Sequence, residues 1–387
     1  MLTLSSKLPA VGTTIFTVMS QMAQEHNAIN LSQGFPDFSI PAELSDLLAR
    51  YVRDGFNQYP PMTGVPYLRE QIALKTQRLY GVNVDPDSEV TVTSGATEAL
   101  FVAVQALVRP GEEVIVFDPA YDSYEPAITL AQGVTRHLPL LPPGFAIDWD
   151  RLAATINPRT RAIMINSPHN PCGSVLSRSD LEKLAALIGD RPIAVISDEV
   201  YEHMVYDGER HVSALEIDGL RERSFVISSF GKTCHATGWK VAYCIAPAEL
   251  TTEFRKVHQF VTFTTHTPTQ WALAEFIDKY PEHYLNLSDF YQQKRDVFLD
   301  AMRGSAFRMT PSRGTYFQLA DYSDITDLTD TDFAALLTRE YKVAVIPVSV
   351  FYADPPPNHY IRFCFAKAET TLQEAASRIA GLREITP

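Results

Sequence analysis

Between Glu89 and Pro247 the chain repeats one pattern: short, unbroken runs of apolar and β-branched residues, separated by stretches with helical spacing. The runs are Val90-Thr91-Val92-Thr93, Val114 to Phe117, Ala162 to Ile165, Ala194 to Ile196, Phe225 to Ile227 and Val241 to Ala246. A strand that is apolar at every position needs cover on both faces, as in a sheet held between layers of helices. Ala99 to Leu107 and Leu181 to Ile188 predict two of those helices. Together the alternation predicts an α/β fold with a mostly parallel sheet. Such sheets bind ligands beyond the carboxyl ends of their strands, so the residues that follow each run are the place to look for chemistry.

From about Tyr284 onward the pattern changes. A charge-rich helix, Asp289 to Arg303, precedes strands around Thr315 to Leu319, Val343 to Ile346 and Ile361 to Phe365. These predict a smaller domain, which the N-terminal segment joins as an arm. Asp354-Pro355-Pro356-Pro357-Asn358 reads as a proline-stiffened loop. There is no internal repeat and no low-complexity tract. A glycine-rich dinucleotide fingerprint is also missing, which counts against a nicotinamide dehydrogenase.

At 387 residues the chain is long enough for two domains that share a buried core. Its formal net charge of -13 lacks the basic footprint of a nucleic-acid-binding protein. No apolar run approaches the roughly 18 residues of a membrane span. Met1-Leu2-Thr3-Leu4-Ser5-Ser6-Lys7 has no signal-peptide core, so a cytoplasmic location is the expectation. The four cysteines, Cys172, Cys234, Cys244 and Cys364, form no Cys-x-x-Cys pair and read as reduced, small packing residues. Ten histidines show no zinc-binding helix signature.

Chemistry is concentrated at the ends of the runs. Lys232 lies in the turn Ser228-Ser229-Phe230-Gly231-Lys232-Thr233, just after Phe225-Val226-Ile227. Asp198 and Tyr201, in Asp198-Glu199-Val200-Tyr201, follow Ala194-Val195-Ile196 and should face the same crevice. Asn170 follows another strand, in Asn166-Ser167-Pro168-His169-Asn170-Pro171, where two X-Pro steps favour an extended turn. Arg362 interrupts the apolar run Tyr360 to Phe365, where a lone guanidinium is costly unless it meets an anion. Thr93 to Leu100 reads as a strand-to-helix turn whose exposed amides can face a phosphate. The same octet also fits a capping box built on Ser94.

In this order and at these separations, the motifs resemble the class I and II aminotransferases, fold-type I enzymes that use pyridoxal 5'-phosphate. The similarity spans nearly the whole chain. Gln33-Gly34-Phe35-Pro36-Asp37-Phe38 and Ser229-Phe230-Gly231-Lys232-Thr233 resemble the methionine aminotransferase branch, near kynurenine aminotransferase and glutamine transaminase K. The resemblance implies a large domain with a seven-stranded sheet over residues 46–283, a small C-terminal domain over 284–387 and an N-terminal arm over 1–45. It gives Lys232 the cofactor imine and the substrate proton, tasks that an always-protonated arginine could not perform. Asp198 pairs with the pyridine nitrogen, and Tyr201 and Asn170 reach the phenolic oxygen.

The same resemblance sets the phosphate on Gly95, Ala96 and Thr97, with Ser229 and Lys240, and stacks Tyr121 on the ring. Arg362 takes the substrate α-carboxylate through its planar fork. Gly34 belongs to a loop over the substrate, and Phe16 lies beside it. Tyr59 and Phe263 reach the neighbouring subunit's site, which makes the active unit a homodimer. Apolar segments near the substrate, Ile15-Phe16, Phe35 and Phe263, favour methionine and aromatic amino acids over aspartate. The competing readings are a kynurenine or glutamine transaminase with cysteine-conjugate β-lyase activity, and a non-catalytic cofactor-binding regulator.

Overall fold

The computed structural model describes residues 4–357 and 359–384; the first three residues of the Met1–Lys7 stretch, Asn358 of the proline-rich loop and residues 385–387 lie outside them. Its strands are β1 (Ile29–Asn30), β2 (Val90–Thr93), β3 (Glu113–Asp118), β4 (Val134–Pro139), β5 (Thr160–Asn166), β6 (Ala194–Asp198), β7 (Ser224–Ser229), β8 (Ala242–Ile245), β9 (Phe317–Asp321), β10 (Val343–Ala344), β11 (Ile346–Pro347) and β12 (Tyr360–Cys364). Seven of them form one sheet in the order β2-β8-β7-β6-β5-β3-β4. β3 to β7 run parallel, whereas β8 runs antiparallel to both of its neighbours.

The unbroken apolar runs are explained by cover on both faces. Ile115, Phe117, Ile163, Ile165, Val195 and Val226 point into one core, together with Leu68, Leu181 and Leu273 from three helices. Their alternating neighbours Val114, Val116, Ala162, Met164, Ile196, Phe225 and Ile227 point into another, with Leu100 and Phe254. Burying a residue such as Ile163 or Phe225 completely stabilises the fold by roughly 1.5–3 kcal/mol. A further cluster gathers Met19 and Leu31 from near the start of the chain with Phe298, Phe363 and Leu372 from its last third.

Several elements differ from the sequence expectations. β4 carries the polar sequence Val134-Thr135-Arg136-His137-Leu138-Pro139 and lies at the sheet edge, so it lacks the apolar signature of the central strands. The run Val343 to Ile346 divides into two strands with different partners: β10 pairs with β1, and β11 with β12. The strand expected from Thr315 starts at Phe317, because Thr315 has φ +65, outside the extended region. The helices Ala96–Leu107 and Arg178–Ile188 begin earlier than their apolar spacing suggests, the second on a Ser177–Asp180 capping box. The charged helix spans Leu287–Ala301. All four cysteines are free and buried.

Candidate active site

The strand ends build the site. β6 terminates at Asp198 and β5 at Asn166, neighbours in register across the parallel pair. β7 terminates at Ser229, after which the chain makes the short helix Phe230–Thr233 and the turn Thr237–Trp239, then returns antiparallel as β8. That hairpin sets Ser229, Lys232 and Lys240 at one end of the sheet. On the next strand over, β2 leads through Gly95 into the helix Ala96–Leu107. From the other side, β12 carries Arg362, paired in register with Leu319 of β9.

These elements surround a cleft of about 240 Å³. Of the expected site residues, Phe16, Gly34, Gly95, Ala96, Thr97 and Tyr121 line it, and so do Asn170, Asp198, Tyr201, Ser229, Lys232, Lys240 and Arg362. Tyr59 and Phe263 do not. Both lie at the surface, Tyr59 85% exposed, with their rings edge to face at 5.5 Å. Of the apolar segments expected beside the substrate, only Phe16 lines the cleft; Ile15 packs against the C-terminal core and Phe35 is 44% exposed.

Asp198 is buried, and its Oδ2 accepts a hydrogen bond from the Tyr124 hydroxyl at 2.7 Å while the Val200 amide reaches Oδ1 at 3.3 Å. No protein cation lies within ion-pair distance among the described residues. Burial therefore pushes its carboxyl up to about 6, and a cationic N–H donor is the partner it lacks. Lys232 borders the cleft; its Nζ donates to the Tyr316 hydroxyl at 2.7 Å and to the Gly34 carbonyl at 3.2 Å. Burial lowers its amine to about 8, which raises its neutral, nucleophilic fraction near neutral pH well above that of an ordinary lysine.

Arg362 is fully buried. Its Nη1 donates to Asn170 Oδ1 at 2.7 Å and its Nη2 to the Ser32 carbonyl at 2.9 Å, while Nε has no partner. The guanidinium lies 3.9 Å from the centre of the Phe317 ring and meets no carboxylate within ion-pair distance among the described residues. A buried, uncompensated cation of this kind fits an anionic ligand. Asn170, whose Oδ1 accepts from Arg362, also lines the cleft.

The N-terminus of the helix Ala96–Leu107 fits a second anion. Its N-cap is Gly95, with φ +85 and no side-chain cap, so the first amides stay open. The expected capping box on Ser94 is not formed; instead the Ser94 amide donates to Glu98 Oε2 at 2.9 Å. Lys240 stands directly against Gly95: a Cβ there would meet Lys240 Nζ at 3.1 Å. With Ser229, also in the cleft lining, the helix end could hold a phosphate. A phosphate group, a basic ring nitrogen and a carboxylate-bearing substrate thus each have a matching partner.

Some site residues carried no distinct sequence signal. Tyr124, which donates to Asp198, lies three residues after Tyr121, and nothing local in the sequence marks its hydroxyl. Tyr316 sits in a predicted strand, and nothing local marks its hydroxyl for Lys232. Gln33, in contrast, was visible in its motif, and its Nε2 ties the loop to the Phe16 carbonyl at 2.7 Å.

Comparisons with known proteins give the family and the fold. The family model described as aminotransferase class I and II matches residues 26–379. The chain is 55% identical to Escherichia coli methionine aminotransferase over 97% of this chain and 98% of that protein. It is 34% identical to rat kynurenine–oxoglutarate transaminase 1 over 98% of each chain. A solved Escherichia coli structure, whose description identifies a methionine aminotransferase function, superimposes with a TM-score of 0.97 at 54% identity, over 99% of this chain and 100% of that one. The chain belongs to the class I and II aminotransferase family and has its α/β architecture, with a mostly parallel seven-stranded sheet.

Proposed function

We propose that the protein transfers the amino group of L-methionine and of aromatic amino acids to a 2-oxo acid in a ping-pong cycle, with pyridoxal phosphate held in the cleft. The observation that carries this reading is the convergence of Lys232, Asp198 and Arg362 on one cavity. When bound, pyridoxal phosphate supplies an aldehyde that takes up the amino group and a ring that drains electrons from the substrate α-carbon. Asp198 would keep the pyridine nitrogen protonated, and that cation would offset the burial of its own carboxylate. Gly95, Ala96, Thr97, Ser229 and Lys240 would hold the phosphate, Tyr121 would cover the ring, and Asn170 and Tyr201 would hydrogen-bond its phenolic oxygen.

Arg362 orients the substrate through its α-carboxylate. Lys232 would hold the cofactor aldehyde, and its free amine would take the substrate α-proton and return it. Aspartate would need a further cation for its distal carboxylate, and Phe16 offers an apolar surface instead. A thioether packs well on aromatic edges, at roughly 0.3–1.5 kcal/mol per contact. The 55% identity to a methionine aminotransferase supports the same preference.

The exposed aromatics Tyr59, Phe260 and Phe263 support a homodimer in which Tyr59 and Phe263 complete the partner's site. Sedimentation of the purified protein checks this, and a fully active monomer would contradict it. Substrate choice is tested by kcat/KM for methionine, phenylalanine, tyrosine, kynurenine, glutamine and aspartate with one common 2-oxo acid. Methionine and the aromatic amino acids should lead. A clear preference for aspartate would overturn the reading of the pocket.

A further inference from the structure

The Lys232 amine rests on two acceptors that close a small triangle. Its Nζ donates to the Tyr316 hydroxyl and to the Gly34 carbonyl, and the Tyr316 hydroxyl donates in turn to that same carbonyl. The polarity of each bond follows from the atoms. A carbonyl only accepts, so the single phenolic proton goes to Gly34 and the tyrosine oxygen turns a lone pair to Nζ. Packing fixes the phenol: Tyr316 is fully buried, its ring 5.2 Å from Tyr201 and 4.9 Å from Phe317, both nearly edge-on. The carbonyl is fixed too, since Gly34 is pressed against Phe317, whose Cζ would lie 2.8 Å from a Cβ at that position.

We propose that Tyr316 is a positioning residue that aims the free Lys232 amine for proton transfer, an inference that rests on the transaminase reading. A neutral amine has two N–H bonds and one lone pair. With both N–H bonds committed to Tyr316 and Gly34, the lone pair is the direction that remains, and Lys232 borders the cleft. The base is then held in one orientation instead of rotating. When the substrate α-C–H bond breaks and the new N–H bond forms, the ammonium keeps both hydrogen bonds and its third N–H is the one that returns the proton. Gly34 contributes backbone and cannot be deleted, so Tyr316 is the part of the device that a mutation can remove.

Tyr316→Phe keeps the packed ring and deletes the hydroxyl, which is both the acceptor for Lys232 Nζ and the donor to the Gly34 carbonyl. Tyr291→Phe is the comparison: its ring is 5.7 Å from Tyr316, but its hydroxyl meets His235 Nδ1 and not Lys232. In Tyr316→Phe, kcat with methionine should fall about 10- to 100-fold with KM within about threefold, and the effect of α-deuteration should grow. In protein freed of cofactor, the pH midpoint for acylation of Lys232, read by peptide mass spectrometry, should move down because the ammonium has lost an acceptor. Its titratable neighbours, Cys364, Lys240, Arg362 and Asp198 around Lys232 and Tyr201 and Tyr291 around Tyr316, are unchanged in this variant. An unmoved isotope effect and midpoint in an active wild-type background, or equal losses in Tyr291→Phe, overturns this inference alone. A wild-type protein that transaminates nothing overturns the functional reading as well.

Discussion

At the scale of single residues, the site is assembled from groups whose charge is poorly matched by the protein around them. Asp198, Lys232 and Arg362 are each displaced by burial toward the neutral form, Asp198 up to about 6, Lys232 down to about 8 and Arg362 down to about 10. For Asp198 this has a consequence in protein freed of cofactor. Its folded-state pKa lies above the unfolded value of about 4, so its contribution to stability is fully present below pH 4 and is lost as the pH rises through about 6. Asp198→Asn removes that loss. Urea unfolding of the cofactor-free proteins between pH 4 and 7 should show the variant gaining on the wild type by on the order of 2 kcal/mol. A constant difference across that range would mean that Asp198 is not held in this way. These three residues were legible in the sequence because Arg362 interrupts an apolar run, Asp198 closes one and Lys232 lies in the turn that follows another. Tyr124 and Tyr316 were not, because their roles depend on hydroxyl groups brought in from elements 74 and 84 residues away.

At the scale of elements, the strand-to-helix turn at Gly95 and the β7–β8 hairpin meet at the cradle proposed for the phosphate. Gly95 combines φ +85 with ψ 162, a conformation open essentially to glycine, and a side chain there would meet Lys240 Cε at 2.9 Å. Gly95→Ala should therefore cost about 1–3 kcal/mol in stability and weaken pyridoxal phosphate retention by displacing Lys240. Thermal unfolding and cofactor titration measure the two effects. Retained affinity at reduced stability would show that Lys240 is not part of the cradle. The central strands were legible because both of their faces are buried. β4 was not, since an edge strand with exposed polar positions lacks that signature. The reversal of β8 was also hidden, because an apolar run carries no mark of its direction.

At the scale of the molecule, parts distant in sequence converge on one cleft: Phe16 and Gly34 from near the start of the chain, Asp198 and Lys232 from the central sheet, and Arg362 from β12. The motif order made this convergence an expectation from the sequence. The exposed pair Tyr59 and Phe263 is the part that a single chain leaves unexplained, and the proposed dimer gives it a function. Everything in the account depends on one amine. The most direct test is a single-turnover reaction: the protein is loaded with pyridoxal phosphate and mixed with excess methionine without any 2-oxo acid, and the 2-oxo acid released per protomer is counted for wild type and Lys232→Ala. The wild type should release close to one equivalent within seconds, and the variant should be slower by orders of magnitude while keeping its fold. Release at the wild-type rate from Lys232→Ala would contradict the account.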